Sequence, residues 1–96
     1  MNAEHAPNSL KLGDWSYQPE LRLLDDGHRQ TRLKPLLARL LDRLLAQPGA
    51  VIERETLLAE VWQRRLVNDE VLSRAVAELR AALGDDAREP RYIETL

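Results

Sequence analysis

Two neighbouring segments decide the fold: Arg54-Glu55-Thr56-Leu57-Leu58-Ala59-Glu60-Val61-Trp62 and Asn68-Asp69-Glu70-Val71-Leu72-Ser73-Arg74-Ala75-Val76-Ala77-Glu78-Leu79-Arg80-Ala81-Ala82-Leu83. Both are amphipathic at helical spacing, and only the short connector Gln63 to Val67 separates them. In the first, Leu57, Leu58, Val61 and Trp62 supply a stripe to bury. In the second, a step of ~100° per residue gathers Leu72, Ala75, Val76, Leu79, Ala82 and Leu83 on one side. The other side holds Glu70, Ser73, Arg74, Ala77 and Ala81, flanked by Glu78 and Arg80. Asn68 suits the N-cap, Asp69 and Glu70 suit the positive end of the helix dipole, and Gly84 suits a left-handed stop.

Upstream, Pro35 fits the first turn of an earlier helix, where a missing N–H costs nothing. Leu36, Leu37, Leu40, Leu41, Leu44 and Leu45 form its apolar stripe, and Pro48-Gly49 ends it. Val51 and Ile52 read as one short extended piece. Before Pro35 the pattern is strand-like. Trp15 and Tyr17 share a face at period two, and Leu21 and Leu23 repeat that spacing after Pro19. Asp25-Asp26-Gly27 signals a turn, so this third of the chain reads as three or four short antiparallel strands with one face inward. Downstream of Pro90, Arg91 to Leu96 returns to strand character.

Ninety-six residues make one domain with a modest core. Met1 to Ser9 is polar, carries Pro7 and reads as a flexible arm (residues 1–9) ahead of the folded part (residues 10–96). With no cysteine there is no disulfide, thiolate metal site or thiol nucleophile. The formal net charge of −2 does not by itself announce a nucleic-acid binder. Of the 14 basic residues only Lys11 and Lys34 are lysine. That bias suits bidentate phosphate or base contacts, and it equally suits a GC-rich coding sequence. No signal peptide or ~20-residue apolar span is present. Catalysis has little support: His5 and His28 lack convincing partners, Asp25/Asp26 and Asp85/Asp86 sit in turn contexts, and there is no glycine-rich phosphate loop or metal-ligand cluster. No cofactor is expected.

The order of strands, three helices and a strand resembles the OmpR/PhoB-type winged-helix DNA-binding domain. The words that carry the resemblance are Arg54-Glu55-x-Leu57-Leu58-x-x-Val61-Trp62, Leu79-Arg80-x-x-Leu83-Gly84-Asp85-Asp86, and Pro90-Arg91-Tyr92-Ile93-Glu94-Thr95. The early start of the domain is most similar to the CadC/ToxR-like branch, in which a membrane-spanning segment follows far downstream. The resemblance implies an α+β winged helix-turn-helix, acting as the N-terminal, cytoplasmic domain of a bacterial transcription regulator. In the family the third helix enters the major groove. Carried over position by position, the DNA-facing residues are Ser73, Arg74, Ala77, Glu78 and Arg80, with Glu70 at the leading end.

Arg74 suits a guanine edge, and Arg80, nearer the flank, suits a phosphate. Arg54 and Trp62 match positions that touch the DNA backbone, although Trp62 also completes an apolar stripe. Arg64 and Arg65 fall in the connector, where the expected partners are DNA phosphate and also RNA polymerase, which that connector can contact in relatives. Two copies are expected on double-stranded promoter DNA, with any membrane tether supplied by residues outside this chain. Lys34 and Glu53 stand where relatives carry a hydroxyl cap. Glu78 stands at an often basic position, where its carboxylate can accept from a cytosine amino group or pair with Arg74 at i,i+4. The chain stops at Leu96, before the family's basic wing and return strand, so the wing is expected to be truncated and Tyr92–Leu96 to have an unpaired edge. The competing expectation is a protein-protein interaction module on the same scaffold.

Overall fold

In the computed structural model, which describes residues 9–63, 68–85 and 92–93, four strands precede three helices. β1 (Leu10–Leu12), β2 (Trp15–Gln18), β3 (Leu23–Asp25) and β4 (Gln30–Arg32) form an antiparallel sheet in sequence order. Leu12 lies opposite Trp15, and Tyr17 lies between Leu10 and Leu24. Residues directly opposite share a face, so Trp15, Tyr17 and Leu24 enter the core together.

One strand differs from the expected register. Leu24 is 0% exposed while Leu21 is 48% exposed and Leu23 is half-buried. The reason is the turn after Pro19. The Leu21 and Arg22 N–H groups donate back to the Gln18 and Pro19 carbonyls, and Arg22 takes a positive φ of 52°. Those residues are used in turning, so β3 begins at Leu23. A shift of one residue exchanges the two faces of a strand. The next turn is as read: Asp26 Oδ1 accepts from the His28 and Arg29 N–H groups, and Asp25 Oδ1 from that of Gly27.

α1 (Pro35–Ala46) begins with Pro35 in its first turn, and Lys34 supplies no side-chain cap. Leu37, Ala38, Leu40 and Leu41 are buried, while Leu36, Leu44 and Leu45 are partly so. The expected extended piece at Val51–Ile52 forms no strand. Val51 is 75% exposed, so no sheet edge covers it. α2 (Arg54–Val61) likewise lacks a side-chain cap at Glu53. α3 (Asp69–Leu83) is the longest helix and the best terminated. The Asn68 side chain accepts from the Glu70 and Val71 N–H groups, and Gly84 adopts φ +68°.

Tyr17 and Trp15 tie the sheet to the helices through polar bonds. Tyr17, fully buried, donates its hydroxyl to Asp42 Oδ1 of α1 at 2.8 Å. Burial, reinforced by that carboxylate, pushes the Tyr17 hydroxyl pKa well above its usual value. Trp15 donates its indole N–H to the Leu83 carbonyl at 3.0 Å, satisfying one of the orphan carbonyls at the end of α3. The expected arm falls outside the described residues except for Ser9. The strand expected over Arg91–Leu96 does so except for Tyr92 and Ile93, which form no strand.

Candidate nucleic-acid interface

α3 turns Leu72, Ala75, Leu79 and Leu83 into the core and leaves Ser73, Arg74, Ala77, Glu78 and Ala81 exposed. That is the division the helical spacing predicts. Ala77 and Ala81 carry nothing beyond Cβ, so a flat or convex partner can approach the helix backbone there. Arg74 is exposed and makes no hydrogen bond or ion pair with another described residue.

Glu78, for which pairing with Arg74 is one of two expected roles, turns elsewhere. Glu78 Oε1 lies 3.3 Å from Lys34 Nζ, so the carboxylate bridges to the residue that opens α1 rather than to Arg74 one turn away. This corrects the i,i+4 pairing. Lys34 sits 44 positions away in sequence, and only the packing of α1 on α3 brings its ammonium across. Both partners are largely exposed, so the pair adds ~0–1 kcal/mol at most.

At the N-terminal end, Arg54 of α2 reaches over to α3. Its Nη2 donates to Ser73 Oγ at 2.8 Å and to the Asp69 carbonyl at 3.1 Å, with Nε 3.8 Å from Asp69 Oδ2. Arg54 and Ser73, singled out separately from the sequence, are thus one unit. Trp62 is 5% exposed and packs in the core, which is the structural half of its expected role. At the C-terminal end, Arg80 is half-buried, and its Nε and Nη2 both donate to the Ile93 carbonyl. Arg64 and Arg65 lie outside the described residues. Sequence reasoning missed Lys34, Asp69 and Asp85 as partners of this surface. For Asp85 a local signal exists, because it follows the glycine that ends α3.

The resulting face is mixed in charge. Arg54 and Arg74 are interspersed with Asp69, Glu70 and Glu78, so recognition here depends on the placement of each group more than on a uniform field. No cluster of candidate metal ligands occurs among the described residues.

A meander of strands leading into three helices, the last with an uncovered small-residue face, defines the winged-helix class. Residues 28–96 match the family described as transcriptional regulatory protein, C terminal, and the chain belongs to it. The transcriptional activator CadC of Escherichia coli is 33% identical over 88 residues, covering 91% of this chain but 17% of CadC. The solved DNA-binding domain of CadC superposes with a TM-score of 0.79 at 32% identity, covering 90% of this chain and 81% of that one. The Klebsiella pneumoniae RstA DNA-binding domain, solved in complex with the RstA box, gives 0.79 at 25% identity, covering 92% and 88%. The chain therefore spans about a sixth of the length of the regulator CadC and most of the solved domains.

Proposed function

We propose that this chain is a sequence-specific DNA-binding domain of a bacterial transcription regulator, with α3 lying in the major groove of promoter DNA. The observation that carries this reading is the exposed face of α3, with Arg74 uncommitted among the described residues and Ala77 one turn further on. A helix of this diameter fits the major groove, and an arginine there reads guanine through O6 and N7. The RstA domain, similar in fold, is solved in complex with the RstA box, which supports DNA binding as the reading.

Arg54, at the start of α2, supplies a phosphate contact beside backbone N–H groups that also favour an anion. Two copies on adjacent half-sites, a contact between the connector bearing Arg64 and Arg65 and RNA polymerase, and a membrane tether outside this chain complete the proposal. Among the described residues no helix is long and apolar enough to cross a membrane.

Salt titration of binding to a promoter fragment tests it. Each phosphate neutralised contributes about −0.9 to the slope of log K against log salt, so a steep fall is expected. Asp69, Glu70 and Glu78 on the same face favour the second reading, a protein-protein interaction module. A flat salt response with capture of protein rather than promoter would replace the DNA reading with that one.

A further inference from the structure

Ile93 has both of its backbone hydrogen-bonding groups taken by side chains from the end of α3. Its carbonyl oxygen accepts from Arg80 Nε at 3.2 Å and from Nη2 at 2.8 Å. Its N–H donates to Asp85 Oδ2 at 2.9 Å, and the Tyr92 N–H donates to the same oxygen at 3.2 Å. The helix cap explains why these two side chains converge. With Gly84 left-handed, the Gly84 N–H donates to the Ala81 carbonyl at 3.2 Å and the Asp85 N–H reaches back to the Arg80 carbonyl at 2.8 Å. This is the paired bonding of a Schellman motif, which sets the residues at its two ends side by side. That position commonly holds an apolar contact. Here it holds an arginine and an aspartate, and both address one dipeptide.

The sheet contributes a further anchor. The Tyr92 ring lies across Gly13 in the β1–β2 turn, so close that a Cβ on Gly13 would stand 2.5 Å from Tyr92 Cε1. Gly13 also has φ +60°, which only glycine adopts without strain. The dipeptide is therefore held between the end of α3 and the first hairpin.

We infer that Arg80 and Asp85 form a clasp that fixes Tyr92–Ile93 to the end of α3, making Arg80 a positioning residue of DNA recognition rather than a phosphate contact. This role presupposes that α3 faces DNA, as proposed above. A guanidinium fork offers parallel donors in fixed geometry, so it orients the carbonyl as well as binding it. Nε and Nη2 could reach a phosphate only by abandoning Ile93. What holds these donors inward is geometry: both belong to a half-buried side chain and converge on one backbone carbonyl, so turning them to a phosphate would leave the Ile93 carbonyl without them.

Amide hydrogen exchange on the DNA-free chain tests the clasp directly. Arg80→Ala and Asp85→Ala should each speed exchange at Ile93 by roughly tenfold, the loss expected for a bond to a charged group. The double variant should add little to either, because both act on one unit. Unchanged exchange at Leu40 and Leu41 of α1 will show that the fold survives. A promoter titration then separates positioning from phosphate contact. Arg80→Ala should weaken binding without changing the salt slope, whereas loss of a phosphate contact flattens it by about 0.9. Asp85→Ala is the sharper variant. Removing a carboxylate tightens DNA binding on charge alone, but a broken clasp weakens it. Unaltered Ile93 exchange, a flattened slope in Arg80→Ala, or tighter binding by Asp85→Ala would overturn the inference. If the unsubstituted chain retains no promoter at any salt, the DNA-binding proposal and the positioning role fall together, and the exchange rates still decide whether the clasp exists.

Discussion

The first half of α3, Asp69 to Val76, meets the rest of the surface through a capping asparagine and the exposed Arg54 guanidinium. The second half, Ala77 to Leu83, is held by a buried indole on the Leu83 carbonyl and by the contacts of Arg80 and Asp85. Both halves seat leucines in the core, Leu72 at 1% exposure and Leu79 at 0%. The difference lies in the polar groups. Where the helix carries Arg74 its polar contacts are exposed and easily exchanged for those of a partner. Where it ends, they are directed inward and serve position. A recognition helix needs both, since a side chain can discriminate only if its own backbone is fixed.

The largest expected effect tests the anchored half. Leu79→Ala deletes a side chain with no solvent exposure and should cost ~2–5 kcal/mol. In a domain whose whole stability is of order 5–15 kcal/mol, that is a large share. Urea unfolding should show a lower midpoint at an unchanged m value. A cost below ~1 kcal/mol would mean that this half of α3 is not a principal attachment to the core.

Arg74 and Arg54 sharpen the contrast on the exposed half. Arg74→Ala should erase preference for the cognate guanine, a loss of ~1–3 kcal/mol in discrimination. Arg54→Ala should weaken cognate and scrambled DNA about equally, because a phosphate carries no sequence information. Binding measured on both duplexes separates the two. Unchanged promoter affinity in Arg74→Ala would remove that residue from the reading.

These contrasts were unevenly legible in the sequence. The ends of α3 could be read residue by residue, because Asn68 and Gly84 act on backbone within a few positions of themselves. The exposed face was equally readable, since a regular period fixes it. The β3 register was not: the spacing after Pro19 does not reveal how many residues the turn consumes, and Leu24 rather than Leu21 became the core residue. The partners of the charged side chains were least legible. Arg54 and Ser73 are 19 positions apart, and Lys34 and Glu78 are 44 apart, so only the packed helices decide who meets whom. A local i,i+4 rule offered Arg74 as one partner for Glu78, while tertiary proximity gave it to Lys34.

The cap itself supplies a smaller test. Asn68→Ala removes the acceptor for two N–H groups and should cost about 1 kcal/mol, with Asn68→Asp restoring most of it. Thermal unfolding measures the loss. Faster exchange confined to the Glu70 and Val71 amides would locate it in the first half of the helix. Equal acceleration near Leu83 would erase the distinction between the halves.

The smallest stability effect belongs to the boundary between them, at Glu78. Lys34 and Glu78 are 77% and 43% exposed at their side chains, so solvent screens the pair, and Lys34→Ala should change stability by less than about 0.5 kcal/mol. Its effect on DNA should be larger than that on folding. Without the ammonium, the Glu78 carboxylate faces phosphate uncompensated and like charges repel. Lys34→Ala should then weaken binding more at low salt than at high salt, because ions screen the repulsion. Glu78→Gln in the same chain should restore affinity by removing the charge at fault. A Lys34→Ala defect that Glu78→Gln fails to relieve would show Lys34 acting on phosphate directly, and the bridge would then be incidental to binding.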